Sequence, residues 1–158
     1  MQELWFVRKW VRDMNNTIHI SLPDNEYLML LGTALSVFSS NNSFVIENIL
    51  YDKTCKYDWY ELTDKESGYL YDVIKQSINE DIANDFKVIV DMRNRIIHGF
   101  RITSKTGEQI LGTKTKTKIK DGNIQFEITK DYLKDFISKN DVLSMKLNLY
   151  RNNLKGGK

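Results

Sequence analysis

The segment Asp81–Gly99, DIANDFKVIVDMRNRIIHG, decides how the rest of the chain is interpreted. Its hydrophobic residues recur at the three- and four-residue spacing of a helix that buries one face. The residues of that face are Ile82, Phe86, Ile89, Val90, Ile96 and Ile97. The pattern predicts a helix over 81–98, with Gly99 placed to end it.

Arg93 falls within the apolar stripe of this helix. Because a guanidinium cannot shed its charge, it needs carboxylates, main-chain carbonyls or a polar cleft between helices at that position. Asn94 and His98 are four residues apart and share the adjacent side of the helix. The spacing therefore predicts a site at which three polar side chains converge. The alternative is structural: a histidine in a last turn often caps carbonyls, and a buried arginine often ties two helices together.

The string Arg93–Gly99, RNRIIHG, resembles the Arg-x4-6-His motif of the HEPN superfamily, in which the arginine is often followed by Asn, Asp or His and the histidine closes a helix. The resemblance implies a helical domain that pairs two copies of this helix across a two-fold axis. It also implies that Arg93, Asn94 and His98 are catalytic residues of a ribonuclease. Because some HEPN proteins are inactive, the alternative is a catalytically silent module for dimerisation, nucleotide binding or partner docking.

These residue types suit RNA cleavage because RNA carries its own nucleophile, the 2′-hydroxyl. The reaction then needs a base, an acid and a cation at the phosphorus, and it needs no metal. Across a dimer, two copies of His98 would supply base and acid, while two copies of Arg93 would stabilise the transition state. The expected function is a metal-independent endoribonuclease acting on single-stranded RNA. By resemblance it is of the toxin or phage-defence type, with an antitoxin or regulatory partner protein.

Composition predicts one domain in a reducing, cytoplasmic setting. The chain has 158 residues, of which 41% are hydrophobic, enough to bury one core. Its net charge of +2 gives no whole-molecule attraction to nucleic acid, so any RNA contact must be local. A single cysteine, Cys55, excludes an internal disulfide framework, and with two histidines it leaves no zinc-type ligand cluster. No metal or cofactor is expected.

We expect neither a secretion signal nor a membrane segment. Met1–Asp13 carries basic residues among aromatic ones, without the apolar core and cleavage site of a signal peptide. The apolar stretch Leu28–Phe38 is about half the roughly 20 residues that span a bilayer.

Helical periodicity also flanks the motif helix. It predicts a short helix within 1–14, a helix over about 24–39, a short helix or turn over 44–51, and a helix over about 129–153 interrupted at 139–141. A further helix is predicted to begin at a Thr63–Glu66 capping box. The predicted fold is therefore mainly α: a single-domain HEPN-like helical bundle with a β-hairpin inserted at about 99–128 before the C-terminal helix.

The β-hairpin is predicted because the hydrophobic period changes to two after Gly99. Further strand is predicted over 99–103 and 108–111. If Asp121–Gly122 is a two-residue turn, Lys118 lies opposite Gln125 in the hairpin.

A ladder of alternating lysines occupies one face of this hairpin. Lys116 and Lys118 of the ladder, together with Arg95 beside the motif, are the expected RNA-contacting residues outside the catalytic set. The stronger alternative for the ladder is a solvated face that protects an edge strand from aggregation.

Overall fold

The structure, a computed structural model, describes residues 20–51, 55–114 and 125–156, which form five helices and three strands. The helices are α1 (Asn25–Leu50), α2 (Trp59–Thr63), α3 (Ser67–Ser77), α4 (Glu80–Ile97) and α5 (Lys130–Gly156). The strands β1 (Phe100–Thr103), β2 (Gln109–Lys114) and β3 (Gln125–Ile128) form an antiparallel sheet in that order. The prediction of a mainly helical chain with β structure before the last helix is confirmed. The short helix predicted within 1–14 lies outside the described residues.

Helix α1 continues through residues 39–43, where a polar run predicted a break. The separate short helix or turn predicted over 44–51 is therefore wrong. The polar run is compatible with a helix because Asn41 makes a buried tertiary contact: its Nδ2 donates to the backbone oxygen of Asn140 on α5 at 2.6 Å. That contact replaces the local hydrogen bonds by which asparagine disfavours helices.

Helix α5 is likewise continuous, so the interruption predicted at 139–141 is wrong. Asn140 Nδ2 donates to the backbone oxygen of Phe136 one turn earlier, at 2.9 Å, while its own oxygens accept from Asn41. The two long helices run parallel. Lys130 contacts Glu26 near their starts, and Arg151 contacts Glu47 near their ends.

The hydrophobic core lies where α1, α3, α4 and α5 meet. The largest fully buried side chains are Tyr27, Phe86, Phe136, Ile46, Ile49, Leu62, Leu70, Ile74, Ile89, Ile128, Leu133 and Leu143. The buried face predicted for the motif helix is confirmed for all its residues except Ile97, which is 45% exposed. Ile97 therefore contributes to the surface around the motif.

The helix starts differ in part from those predicted. Helix α4 is capped by Asn79, whose Oδ1 accepts from the N–H of Ile82 at 2.8 Å. The capping box predicted for α3 is wrong, because its N-cap Glu66 has no side-chain capping bond. The capping box of this region belongs to α2, where Asp58 and Glu61 satisfy each other's backbone N–H groups.

The register between β2 and β3 differs from the predicted one. Gln125 pairs with Lys114 rather than with Lys118. The predicted turn at Asp121–Gly122 lies outside the described residues. The shift is four residues, and an even shift keeps every side chain on its face, so alternation alone cannot detect it.

Gly99 ends α4 by permitting close packing. Its φ is not positive, and the preceding His98 is the C-cap with φ −96° and ψ 10°. A Cβ at this position would lie 3.1 Å from the Ile96 oxygen, 3.2 Å from the Leu111 Cβ and 3.3 Å from the Ile128 Cδ1. The predicted helix end is therefore confirmed, but the sheet rather than a left-handed turn requires the glycine.

Tyr27 joins α1 to the sheet. Its fully buried hydroxyl accepts from the N–H of Leu111 at 3.0 Å and donates to the backbone oxygen of Ile128 at 2.7 Å. Since Leu111 and Ile128 are paired residues of β2 and β3, the phenol completes the end of their ladder. Burial raises the pKa of Tyr27, which keeps the hydroxyl protonated as a donor.

The absence of a membrane segment was predicted from 28–38 alone. The continuous α1 is long and apolar enough to cross a membrane, with a mean hydropathy of 1.2. Core helices of soluble proteins and signal sequences meet the same criterion, and 22% of the apolar stretch of α1 is buried.

We predict that Tyr27→Phe lowers the free energy of unfolding by about 1–3 kcal/mol, because it leaves the Leu111 N–H and the Ile128 oxygen unsatisfied. Urea unfolding followed by circular dichroism measures the change. Tyr60→Phe is the matched control. Because Tyr60 is 78% exposed, this variant should change the free energy of unfolding by no more than about 0.5 kcal/mol. Equal losses for both variants would contradict the structural role of the Tyr27 hydroxyl.

We predict that Gly99→Ala and Gly32→Ala change stability in opposite directions. At Gly99 the added methyl meets backbone and packed side chains, so the free energy of unfolding falls by about 1–3 kcal/mol. At Gly32 on α1 none of the described residues lies within 4 Å of an added Cβ, so alanine raises the free energy of unfolding by about 0.5–1 kcal/mol. Urea unfolding of both variants tests this, and a stabilised Gly99→Ala would show that the sheet does not pack on this helix end.

Candidate functional site

An open groove of about 1110 Å³ lies between α1, the start of α3 and the C-terminal half of α4. Arg93, Asn94 and His98 all line it. The structure therefore brings the three predicted catalytic residues to one surface. From α1, Phe38 and Asn42 form part of the opposite wall.

The guanidinium of Arg93 is held by an aromatic ring and a hydroxyl. Its Cζ lies 4.8 Å from the centroid of the Phe38 ring, and its Nη2 donates to Ser67 Oγ at 2.6 Å. Its Nε is buried and has no hydrogen-bond partner among the residues that the structure describes. Burial lowers the pKa of Arg93, yet an arginine stays charged in proteins. The polar cleft predicted for this residue is present, but a ring face takes the place of a carboxylate.

The charge of Arg93 is not neutralised within the groove. Glu66 and Asp91 line the same groove, yet across residues 20–51, 55–114 and 125–156 no carboxylate lies within salt-bridge distance of Arg93. A partly desolvated cation without a carboxylate partner binds anions strongly, because the Coulomb attraction is less screened than in water. The guanidinium is thus available to an anionic ligand.

Three helices fix the position of this guanidinium. Arg93 comes from α4, Ser67 is the first residue of α3, and Phe38 belongs to α1. Phe38 is itself stacked on Phe136 of α5, with ring centroids 6.3 Å apart. Packing of the two long helices therefore orients the ring on which the cation lies.

His98 occupies the edge of the groove and is exposed. Its backbone N–H donates to the Asn94 oxygen at 3.1 Å, which ends the helix. The capping alternative predicted bonds from the imidazole to the last carbonyls. Among the residues that the structure describes, the capping bonds at this helix end come from the backbone N–H groups of His98 and Gly99, which donate to the oxygens of Asn94 and Ile96. The imidazole therefore has open access to a ligand in the groove.

Two further cations line the groove, Lys65 and Lys87. Each ammonium lies over a tyrosine ring: that of Lys65 is 5.2 Å from the centroid of Tyr69, and that of Lys87 is 5.3 Å from the centroid of Tyr71. Together with Arg93, these lysines share the groove with the carboxylates of Glu66 and Asp91. The resulting field is mixed, so attraction to an anion is local to the arginine, as the small net charge of the chain predicts.

Arg95, which was predicted to contact RNA outside the motif, does not line this groove. The guanidinium of Arg95 lies 4.7 Å from the ring centroid of Phe126 on β3, so Arg95 packs α4 against the sheet. Phe126 in turn makes an edge contact with Tyr132 of α5 at 5.3 Å. Lys116 and Lys118 lie outside the described residues.

Sequence reasoning missed three residues of the site, namely Phe38, Asn42 and Ser67. Phe38 belongs to the apolar stripe predicted for α1, but nothing local indicates that its ring face receives a cation. Asn42 lies in the polar run 39–43 that suggested a break. The run itself does not show that the helix continues, so no local signal in the sequence assigns Asn42 to a groove.

No protein-family profile, curated protein or solved structure matches this chain. The functional assignment therefore depends on the groove and on the motif residues themselves.

Proposed function

We propose that this chain is a HEPN-type, metal-independent endoribonuclease that cleaves single-stranded RNA in the groove lined by Arg93, Asn94 and His98. The observation that carries the proposal is the state of Arg93, a partly buried cation with no carboxylate partner among the described residues, in a groove shared with an exposed histidine. A phosphodiester is an anion that needs such a cation, and its cleavage needs a group that moves protons. By resemblance, the setting is a cytoplasmic toxin or phage-defence nuclease under the control of a partner protein.

The reaction uses the 2′-hydroxyl of the RNA as nucleophile. One His98 takes the proton from this hydroxyl, O2′ attacks the phosphorus, and the bond from phosphorus to O5′ breaks. A second His98 donates the proton that O5′ gains, so the products carry a 2′,3′-cyclic phosphate and a 5′-hydroxyl. Arg93 stabilises the charge on the non-bridging oxygens, and Asn94 holds the substrate or the imidazole by hydrogen bonds. DNA lacks the nucleophile and is not cleaved.

A homodimer supplies the second histidine. Each protomer has one His98, and a two-fold interface places the same residue of both copies across a shared groove. Apolar side chains flank this histidine: Leu35 and Ile97 line the groove and are 40% and 45% exposed, and Phe100 is 51% exposed. Contact with a second copy removes this apolar surface from water.

We predict that the purified protein cleaves single-stranded RNA in EDTA and leaves cyclic phosphate ends. Arg93→Ala and His98→Ala should each lower the rate by at least about 100-fold, because each removes a group that acts on the transition state. Gel analysis of labelled RNA measures the rate, and circular dichroism checks that the fold survives. Arg101→Ala is the matched control: Arg101 is an exposed arginine outside the groove, which donates to the Ser21 oxygen.

A wild-type dimer that leaves a varied pool of RNA intact would remove the nuclease proposal. The catalytically silent module would then be the better assignment.

We predict that the protein is a dimer in solution and that Ile97→Asp produces a monomer with strongly reduced cleavage, because a buried carboxylate opposes an apolar interface. Light scattering measures the mass and the RNA assay measures the rate. Met145→Asp is the control, because the Met145 side chain on α5 is 54% exposed. This variant should keep the dimeric mass and the wild-type cleavage rate. A monomer with undiminished cleavage is the result that would rule out a composite site.

A further inference from the structure

Asn42 has an amide without a partner in the candidate groove. The residue is half-buried and lines the groove, and its Oδ1 is shielded from solvent without a hydrogen bond in the described part of the chain. Its neighbour Asn41 differs, because the Asn41 amide donates to Asn140 at 2.6 Å and holds α1 on α5. Of two adjacent asparagines, one is thus structural and the other is left to the groove.

The neighbouring hydroxyl groups of the groove are already engaged. Ser67 Oγ accepts from Arg93, and Thr63 Oγ1 donates to the backbone oxygen of Trp59 at 2.9 Å. Six side-chain atoms of the described residues are buried without hydrogen-bond partners, and two of the six, Asn42 Oδ1 and Arg93 Nε, belong to this groove. Because native proteins satisfy nearly all buried polar groups, two such atoms in one groove point to a ligand that completes them.

The chemistry of the amide selects the kind of ligand group. An asparagine amide is neutral and offers an acceptor and donors side by side. A phosphate offers only acceptors at neutral pH, so it satisfies the arginine but not Asn42 Oδ1. A nucleobase edge carries donor and acceptor side by side, and an amide pairs with it through two hydrogen bonds.

The spacing of the two groups suits one nucleotide. The Arg93 guanidinium lies over Phe38, and Asn42 follows Phe38 by one helical turn, about 6 Å along α1. The cation and the amide are therefore neighbours along one wall of the groove. This spacing lets the cation bind the phosphate of a nucleotide while the amide contacts its base.

We propose that Asn42 reads the base of the nucleotide whose phosphate binds Arg93, and so sets the base preference of the groove. For cleavage this inference rests on the proposed ribonuclease function, whereas for nucleotide binding it can be tested without cleavage. Asn42 is a specificity-determining residue in this proposal and takes no part in proton transfer.

The first experiment measures binding of AMP, CMP, GMP and UMP, with ribose 5-phosphate as a probe that has no base. Wild-type affinities should spread by at least about tenfold, and Asn42→Leu should narrow the spread to within about twofold, since bidentate base contacts give about 1–3 kcal/mol of discrimination. The affinity of Asn42→Leu for ribose 5-phosphate should stay within about twofold of the wild-type affinity. Asn148→Leu is the matched control, because Asn148 is an exposed asparagine on α5 whose amide donates to the Ser144 oxygen.

A second variant separates base reading from a structural role. Asn42→Asp replaces the amide with a carboxylate that only accepts hydrogen bonds, so the preference should move toward guanine, whose edge offers two neighbouring donors. An unchanged spread in Asn42→Leu would overturn the inference. So would an equal loss of affinity for ribose 5-phosphate, or a wild type that binds none of the four nucleotides.

Mapping of RNA cleavage sites distinguishes the inference from the proposed function. Base preference in the wild type that is lost in Asn42→Leu, while Asn148→Leu keeps it, supports both. Cleavage by the wild type without base preference overturns the inference and leaves the nuclease standing. Base-selective nucleotide binding that depends on Asn42, in a protein that cleaves no RNA, supports the inference and removes the nuclease.

Discussion

The buried hydroxyl of Tyr27 is the contact on which the arrangement of the long helices depends. It bridges Leu111 and Ile128 at the end of the β2–β3 ladder, and α5 begins two residues after Ile128. The phenol therefore fixes where α5 starts relative to α1. From this junction the two helices run parallel, and the buried contact between Asn41 and Asn140 follows further along them. An error of one turn at the junction would misplace that contact.

The same arrangement builds the candidate site. Position along α1 decides that Phe38 faces Arg93, and stacking of Phe38 on Phe136 keeps the ring in place. At the other wall, close packing of Gly99 on the sheet fixes the end of α4 and with it the position of His98. The site is thus a consequence of how the sheet joins the helices, although none of the described strand residues lines the groove.

The site retains polar groups at a cost in stability. Within the described part of the chain, Arg93 Nε and Asn42 Oδ1 are buried without partners, and each such atom costs about 1–3 kcal/mol. Arg151 also has a buried Nε without a partner among the described residues, but its Nη2 pairs with Glu47 at 3.3 Å, whereas Arg93 has no carboxylate partner there. Unpaired groups gathered in one groove are the pattern expected where a ligand supplies the missing partners.

The sequence by itself determined the elements that follow from local periodicity. The period of α4 predicted its extent, its buried face and the side that carries Arg93, Asn94 and His98, because each of these depends only on spacing along one helix. The change to a period of two predicted the strands after Gly99. Periodicity records which face of an element is buried, but it does not record what covers that face.

Tertiary structure decided the rest. The polar runs at 39–43 and 139–141 predicted breaks, and the contact of Asn41 with Asn140, 99 residues apart, keeps both helices continuous. The register of β3 escaped prediction since an even shift leaves alternation unchanged. The role of Asn42 depends on a groove whose walls come from three helices. In each case the deciding contact joins residues that are distant in the chain, so no local pattern contains it.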